Sequence, residues 1–329
     1  APDNGLVQWT YDQEFCVWNG SIDQDWHKAG NWDCGHVPAT NSMVQIPQTP
    51  RDPVISDQDA IAYSVWVKPD ASLRIEAGHA LSAEEEVINQ GELDVAQGSA
   101  SEIEVGSFWQ SEGVFTHGSS STVKFTASSG SHNVNNGPSA FYNLELQSSA
   151  SGNARFVAAS DLDIDGDLDI TQGTLQFTGA QDIYVAGNWT QDGNFVAGQS
   201  LACLDGEDQT ITGSTPPVFY SLQVDGSGTK SIGQNLTVED DIVMHAPLQL
   251  NSHTLSLYGD WTNNSSFDAG TGTVAFLGQA TQTIDNPAGE AFYNVEVNNT
   301  AGTFPQLLLR SQMEVVAGGQ MVFNQGVLE

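Results

Sequence analysis

Gly187-Asn188-Trp189, Phe195, Gly198, Cys203 and Phe219-Tyr220-Ser221-Leu222 are the middle copy of a motif that the chain writes three times. The first copy runs through Gly106, Trp109, Phe115, Gly118, Val123, Phe125 and Phe141-Tyr142-Asn143-Leu144. The third runs through Gly259-Asp260-Trp261, Phe267, Gly270, Val274, Phe276 and Phe292-Tyr293-Asn294-Val295. Trp109, Trp189 and Trp261 are almost evenly spaced, and so are Phe141, Phe219 and Phe292. A repeat of about 75 residues, built from short β-like runs, predicts a stacked and elongated molecule.

Outward from the motif, the seams are clearest at Leu162-Asp163-Ile164-Asp165-Gly166-Asp167-Leu168-Asp169-Ile170. Leu236-Thr237-Val238-Glu239-Asp240-Asp241-Ile242-Val243-Met244 matches it, and Met313-Glu314-Val315-Val316 opens the phrase again. Runs such as Thr174-Leu175-Gln176-Phe177 alternate as half-buried strands do. Ser82 to Val87 is the only mildly helical phrase, and it is too short to count. The expected organisation is a Trp/Cys-rich capping segment at 1–45 and entry coils at 46–90. Three repeats follow at 91–160, 161–234 and 235–311, and a fourth opens at 312–329, so the chain is expected to continue. Each repeat is expected to hold three coils. The fold class expected is all-β, a right-handed parallel β-solenoid; an array of β-sandwiches is the alternative. The recurrent Trp109, Trp189, Trp261, Phe141, Phe219 and Phe292, with Cys203, read as interior ladder residues; an exposed aromatic sugar platform is the competing reading.

Charge narrows the function classes. Of 329 residues, 41 are Asp or Glu and 8 are Lys or Arg, a net charge of −33. A polyanion repels phosphate, which argues against nucleic acid and against anionic membrane surfaces. No apolar run approaches the roughly 20 residues of a membrane span. The acids are dispersed and read as a solvated coat, tolerable where salt or calcium screens it. Lysine is scarce (Lys28, Lys68, Lys124, Lys230) and Ser, Thr, Asn, Gln and Gly abound, as on a secreted β protein. Ala1-Pro2-Asp3 reads as a processed end or a simple boundary.

Cys16 and Cys34 share a short segment that also holds Trp9, Trp18, Trp26 and Trp32, and they are expected to form a disulfide. Cys203 falls where the sister copies carry Val123 and Val274 and reads as a buried, inert thiol. Asp161, Asp163, Asp165 and Asp167 match the opening of a calcium loop, with Gly166 for the sharp turn. Position 12 is Gln172, however, and the alternating Leu and Ile fit outward Asp on a strand equally well. Calcium is therefore the one cofactor considered. Glu84-Glu85-Glu86 reads as a solvated run. None of the seven histidines sits in a zinc-type cluster, and Arg51, Arg74, Arg155 and Arg310 are scattered. No constellation of catalytic residues is apparent, so an enzyme is not expected.

Trp18-Asn19-Gly20-Ser21, Asp25-Trp26, Gly30-Asn31-Trp32, Val37-Pro38 and Val44-Gln45-Ile46-Pro47 open the chain. Gly193-Asn194-Phe195, Gly272-Thr273-Val274-Ala275-Phe276, Gln282-Thr283-Ile284 and Phe292-Tyr293-Asn294-Val295 follow. In these the chain resembles the large secreted surface proteins of gliding bacteria that are exported by the type IX system. The resemblance implies a parallel β-helix used in adhesins, gliding proteins or long extracellular appendages. The C-terminal sorting domain of that family is not in this sequence, which fits a fragment, and the cysteine pair is not general there. The function expected is a structural or adhesive segment of an extracellular cell-surface filament, with filament neighbours or further copies of itself as partners. A glycan-binding module using exposed Trp and Tyr is the alternative, and a secreted carbohydrate-active enzyme is a third.

Overall fold

The structure, a computed structural model, describes residues 13–98, 100–148 and 153–329; Trp9 and Ala1-Pro2-Asp3 lie outside them. Strands make up 51% of the chain, and the one helical element among the described residues is a single 3₁₀ turn, Ala29–Asn31. Every strand pairing between consecutive turns is parallel, and about 13 turns stack into a β-solenoid. At roughly 4.8 Å per turn the stack is about 60 Å long.

Each turn gives one strand to each of three stacks, so the solenoid is three-sided. On one side the paired inward residues are Ile103, Val123, Leu144, Leu168, Trp189, Ile211 and Ile232. The second side carries Val44, Val65, Val87, Trp109, Val134 and Ala158 in register. The third carries Leu162, Ile183, Ala202, Leu222, Ile242, Trp261 and Ile284. All of these side chains are buried, and they belong to one continuous apolar cluster from Cys16 to Leu307. The cluster passes residues 90, 160 and 234 without a break, so no array of sandwiches forms. The strands are too short to stand alone; stacking pairs their backbones and buries one face of each.

The coils are uneven. They are short where Leu236 pairs with Leu255 and long where Gln282 pairs with Leu307. That variation changes the phase of the repeat. Four turns before Trp189 lies Ile103, on the strand immediately preceding that of Trp109. Four turns before Trp261 lies Ile183, on the strand immediately preceding that of Trp189. The repeat therefore spans one side less than four turns, not the three coils the sequence suggested. Each copy of the motif is set back by one side of the solenoid.

Corners are made by glycine and by side-chain caps. Ala80–Asn89 rounds a corner within one strand, pairing first with Glu102–Val105 and then with Phe108–Ser111. The phrase from Ser82 to Val87 is thus strand, not helix. A Cβ on Gly106 would lie 1.7 Å from the Glu84 carbonyl oxygen, so only glycine lets the next turn pass over this corner. Elsewhere an Asp or Asn accepts a backbone N–H from the turn above. Asp167 Oδ1 takes Asn188 N at 2.6 Å, Asp192 takes Ser214 N at 2.8 Å and Asp241 takes Asp260 N at 2.7 Å. Part of the acidic composition is consumed in this way, closing corners where the ladder breaks.

Candidate functional site

The recurrent aromatics are interior. Trp109, Phe115 and Phe141 pack with centroids 5.1 to 6.0 Å apart. Trp189, Phe195 and Phe219 do the same at 4.9 to 5.9 Å, and Trp261, Phe267 and Phe292 at 4.9 to 5.8 Å. Edge-on and tilted geometry is the favoured one for such rings. Each indole N–H is satisfied inside. Trp109 donates to Asn136 Oδ1 at 2.9 Å, Trp189 to Gln191 Oε1 at 3.3 Å, and Trp261 to the buried Glu290 Oε2 at 2.7 Å. With every one of these tryptophans buried, they offer no platform to a sugar.

Cys203 differs from the interior position assigned to it. It pairs with Tyr184 and Gln223, on the outward column, while Ala202 and Leu204 point inward. It is nonetheless 4% exposed, and burial, reinforced by Asp205 and Asp225, pushes its thiol up to about 12. Its structural counterpart in the third copy is Ala275: Leu201-Ala202-Cys203-Leu204 and Thr273-Val274-Ala275-Phe276 share one burial pattern. The sequence alignment with Val123 and Val274 was one residue out of step.

The acidic run at 161–169 is a strand and its corner. Leu162 and Ile164 are buried and Asp163 points outward. Asp161 Oδ1 accepts Asp182 N at 2.9 Å, Asp165 Oδ2 meets His117 Nε2 at 2.8 Å, and Asp167 caps Asn188. Burial, then Asp165 and Asp205, raises the Asp163 carboxyl above its usual range. The four carboxylates are thus divided among separate partners, whereas a calcium loop turns them toward one centre.

Two groupings that the sequence reading missed do converge. On the second side of the first turns, outward positions pair as Met43–Ser64–Glu86–Phe108 and Gln45–Trp66–Ile88–Gln110. Met43, Trp66, Ile88 and Phe108 form a half-buried apolar stripe on what should be a polar face. Lys68 lies over the Trp66 ring, and Trp66 Nε1 donates to Gln90 Oε1 at 2.9 Å. Gln90 and Gln110 both donate to Glu112, at 3.2 and 2.7 Å. Glu86, expected to be solvated, is half-buried here, and burial, then Glu85, raises its carboxyl. The signal was present: Val65-Trp66-Val67 and Val87-Ile88 are unbroken apolar runs where neighbouring strands alternate.

The second grouping lies in the N-terminal segment. Cys16 and Cys34 are joined by a disulfide, with 5.1 Å between Cα atoms. Trp18 and Trp26 pack edge-on against Trp32 at 5.0 and 4.8 Å. Arg51 donates to the carbonyls of Gly20, Ser21 and Ile22, at 3.2, 3.2 and 3.0 Å. Asn31 Oδ1 accepts from the backbone of Ile22 and Asp23. Beside this frame, ligand-type atoms of Asp25, His27 and Asp57 lie within 4.8 Å of one another. Among the described residues no helix is long and apolar enough to cross a membrane.

No curated protein and no solved structure matches the chain. One family matches, a Domain of unknown function (DUF8693), over residues 17–147, which hold Trp18, Trp26 and Trp32, the Met43–Trp66–Phe108 stripe and the first aromatic triad.

Proposed function

We propose that this chain is a stiff, acidic structural rod, an adhesive or spacing segment of an extracellular cell-surface filament. The observation that carries the reading is the single apolar core, in register along three sides and unbroken over about 13 turns. Many parallel ladders in series resist bending, and the charge of −33 keeps neighbouring rods apart unless cations bridge them. The disulfide, the scarcity of lysine and the resemblance of the opening motif to type IX surface proteins support an exported setting. Small-angle scattering of the monomer should give a pair-distance distribution skewed to long distances, with a maximum dimension near that of the stack, about 60 Å plus side chains. A symmetric, globular distribution would refute the rod.

A second reading is favoured by the Met43–Trp66–Ile88–Phe108 stripe. The half-buried Trp66 indole, beside two amides and a carboxylate, suits the face and hydroxyls of a pyranose once the Lys68 ammonium that covers its ring is displaced. The glycan alternative thus moves from the recurrent tryptophans to Trp66. Glycan-array hits that vanish in Trp66→Ala and persist in Trp189→Phe would support it; hits indifferent to Trp66 would remove it.

A further inference from the structure

We propose that Asp25, His27 and Asp57 bind a divalent metal ion that clips the N-terminal segment to the first turn of the solenoid. The His27 side chain is only 13% exposed. Its Nε2 lies 3.1 Å from the Asp59 carbonyl oxygen, and its Nδ1 lies 2.9 Å from Asp57 Oδ1. A carbonyl oxygen only accepts, so Nε2 carries the hydrogen. Nδ1 then faces the Asp57 carboxylate, a contact filled either by a second ring proton or by a metal ion; the Asp25 carboxylate converging on the same point favours the metal.

The rest of the geometry agrees. Asp25 Oδ1 accepts His27 N at 2.9 Å, which holds its carboxyl beside the histidine. The three ligand-type atoms lie within 4.8 Å of one another, compatible with metal–ligand bonds of about 2.0–2.2 Å. A ligating histidine that gives its other N–H to a backbone carbonyl, as His27 does to Asp59, is the usual supporting arrangement. One imidazole and two carboxylates suit zinc or a neighbouring first-row ion better than calcium, which prefers an all-oxygen shell. Asp25 and His27 belong to the N-terminal segment and Asp57 follows the strand Val54–Ile55, so the ion ties together two stretches well separated in the chain. Cys16, Cys34 and His36 also bring ligand-type atoms within 4.8 Å of one another, but they are not a rival site, because the two sulfurs are bonded to each other.

The test titrates the chelator-treated full chain with zinc chloride in a calorimeter and follows the melting temperature. One tight equivalent and a raised melting temperature are expected. Asp57→Asn and His27→Gln should weaken that step by at least about tenfold, and Asp163→Asn should leave it intact. No tight equivalent, or one unchanged in Asp57→Asn, overturns the site. Because either variant could loosen the segment, histidine-ring ¹⁵N spectra of the wild type provide a second measurement. Zinc should shift the His27 Nδ1 resonance; a ring protonated on both nitrogens at pH 7 and unmoved by zinc shows that a proton, not a metal, fills the gap, and refutes the proposal.

Discussion

The N-terminal segment and the stacked turns bury tryptophan equally well, and they do so by opposite means. In the turns the same contact is made again and again. Trp109, Trp189 and Trp261 each meet two phenylalanines in near-identical geometry, and no single contact is unique. In the segment each residue is used once. Arg51 holds three carbonyls, Asn31 holds a loop, and one disulfide closes it. Redundancy makes stability additive along the stack; the segment shares the apolar cluster with the turns but lacks that redundancy, and it is expected to open before them.

That contrast can be broken by substitution. Trp109→Ala, Trp189→Ala and Trp261→Ala should each cost about 3–5 kcal/mol, nearly equal among the three, and lower the main melting transition. Trp26→Ala removes as much buried surface, but hydrogen exchange should show lost protection confined to the N-terminal segment. If Trp26→Ala lowered the main transition and Trp189→Ala did not, the contrast would be reversed.

Lys230 is the point where the turns stop being redundant. It is 1% exposed, and its ammonium donates to the carbonyls of Gly206, Glu207 and Ser227 at 2.6 to 2.8 Å. Burial lowers its affinity for the proton. Lys230→Met fills the space and orphans three carbonyls, a loss of about 3 kcal/mol measurable by urea unfolding. A neutral result would mean that water replaces the ammonium. Reducing the Cys16–Cys34 disulfide should loosen the segment by about 3 kcal/mol while leaving the main transition in place. A shift of the whole melt would join the two regions into one cooperative unit.

The smallest expected effect is that of pH. Burial raises Asp52, Glu86, Asp163, Asp169, Asp205 and Asp260 above the usual carboxylate range. These groups hold protons more tightly folded than unfolded, so stability grows as pH falls toward the raised values. Asp192 and Asp225, held low by hydrogen bonds, lose their contribution only below the ordinary value of about 4. His36 in the N-terminal segment, raised by the Val37 carbonyl and then by Glu14, acts in the same direction, so the melting temperature should be higher at pH 5 than at pH 8 through both regions. A higher value at pH 8 would contradict this.

Much of this was legible in the chain. Alternation in Thr174-Leu175-Gln176 announces a half-buried strand, and the threefold motif announces stacking. The disulfide followed from two cysteines sharing one short segment. Phase was not legible, because coils of uneven length hide which strand lies over which. One residue of slippage moved Cys203 from the outer column to the inner one in the reading. The Asp25, His27 and Asp57 grouping was hidden for the same reason: Asp57 arrives from a distant stretch of chain, by a fold the local sequence does not state.

The one-side setback of each motif copy has a mechanical consequence. Trp189 and its two phenylalanines form a wedge far bulkier than the valine and leucine layers around it. Wedges placed on one side at every repeat would open that side and bow the stack into an arc. Carried round by a third of a turn each time, the three wedges push in three different directions, so the bend expected of one is turned away from that of the next.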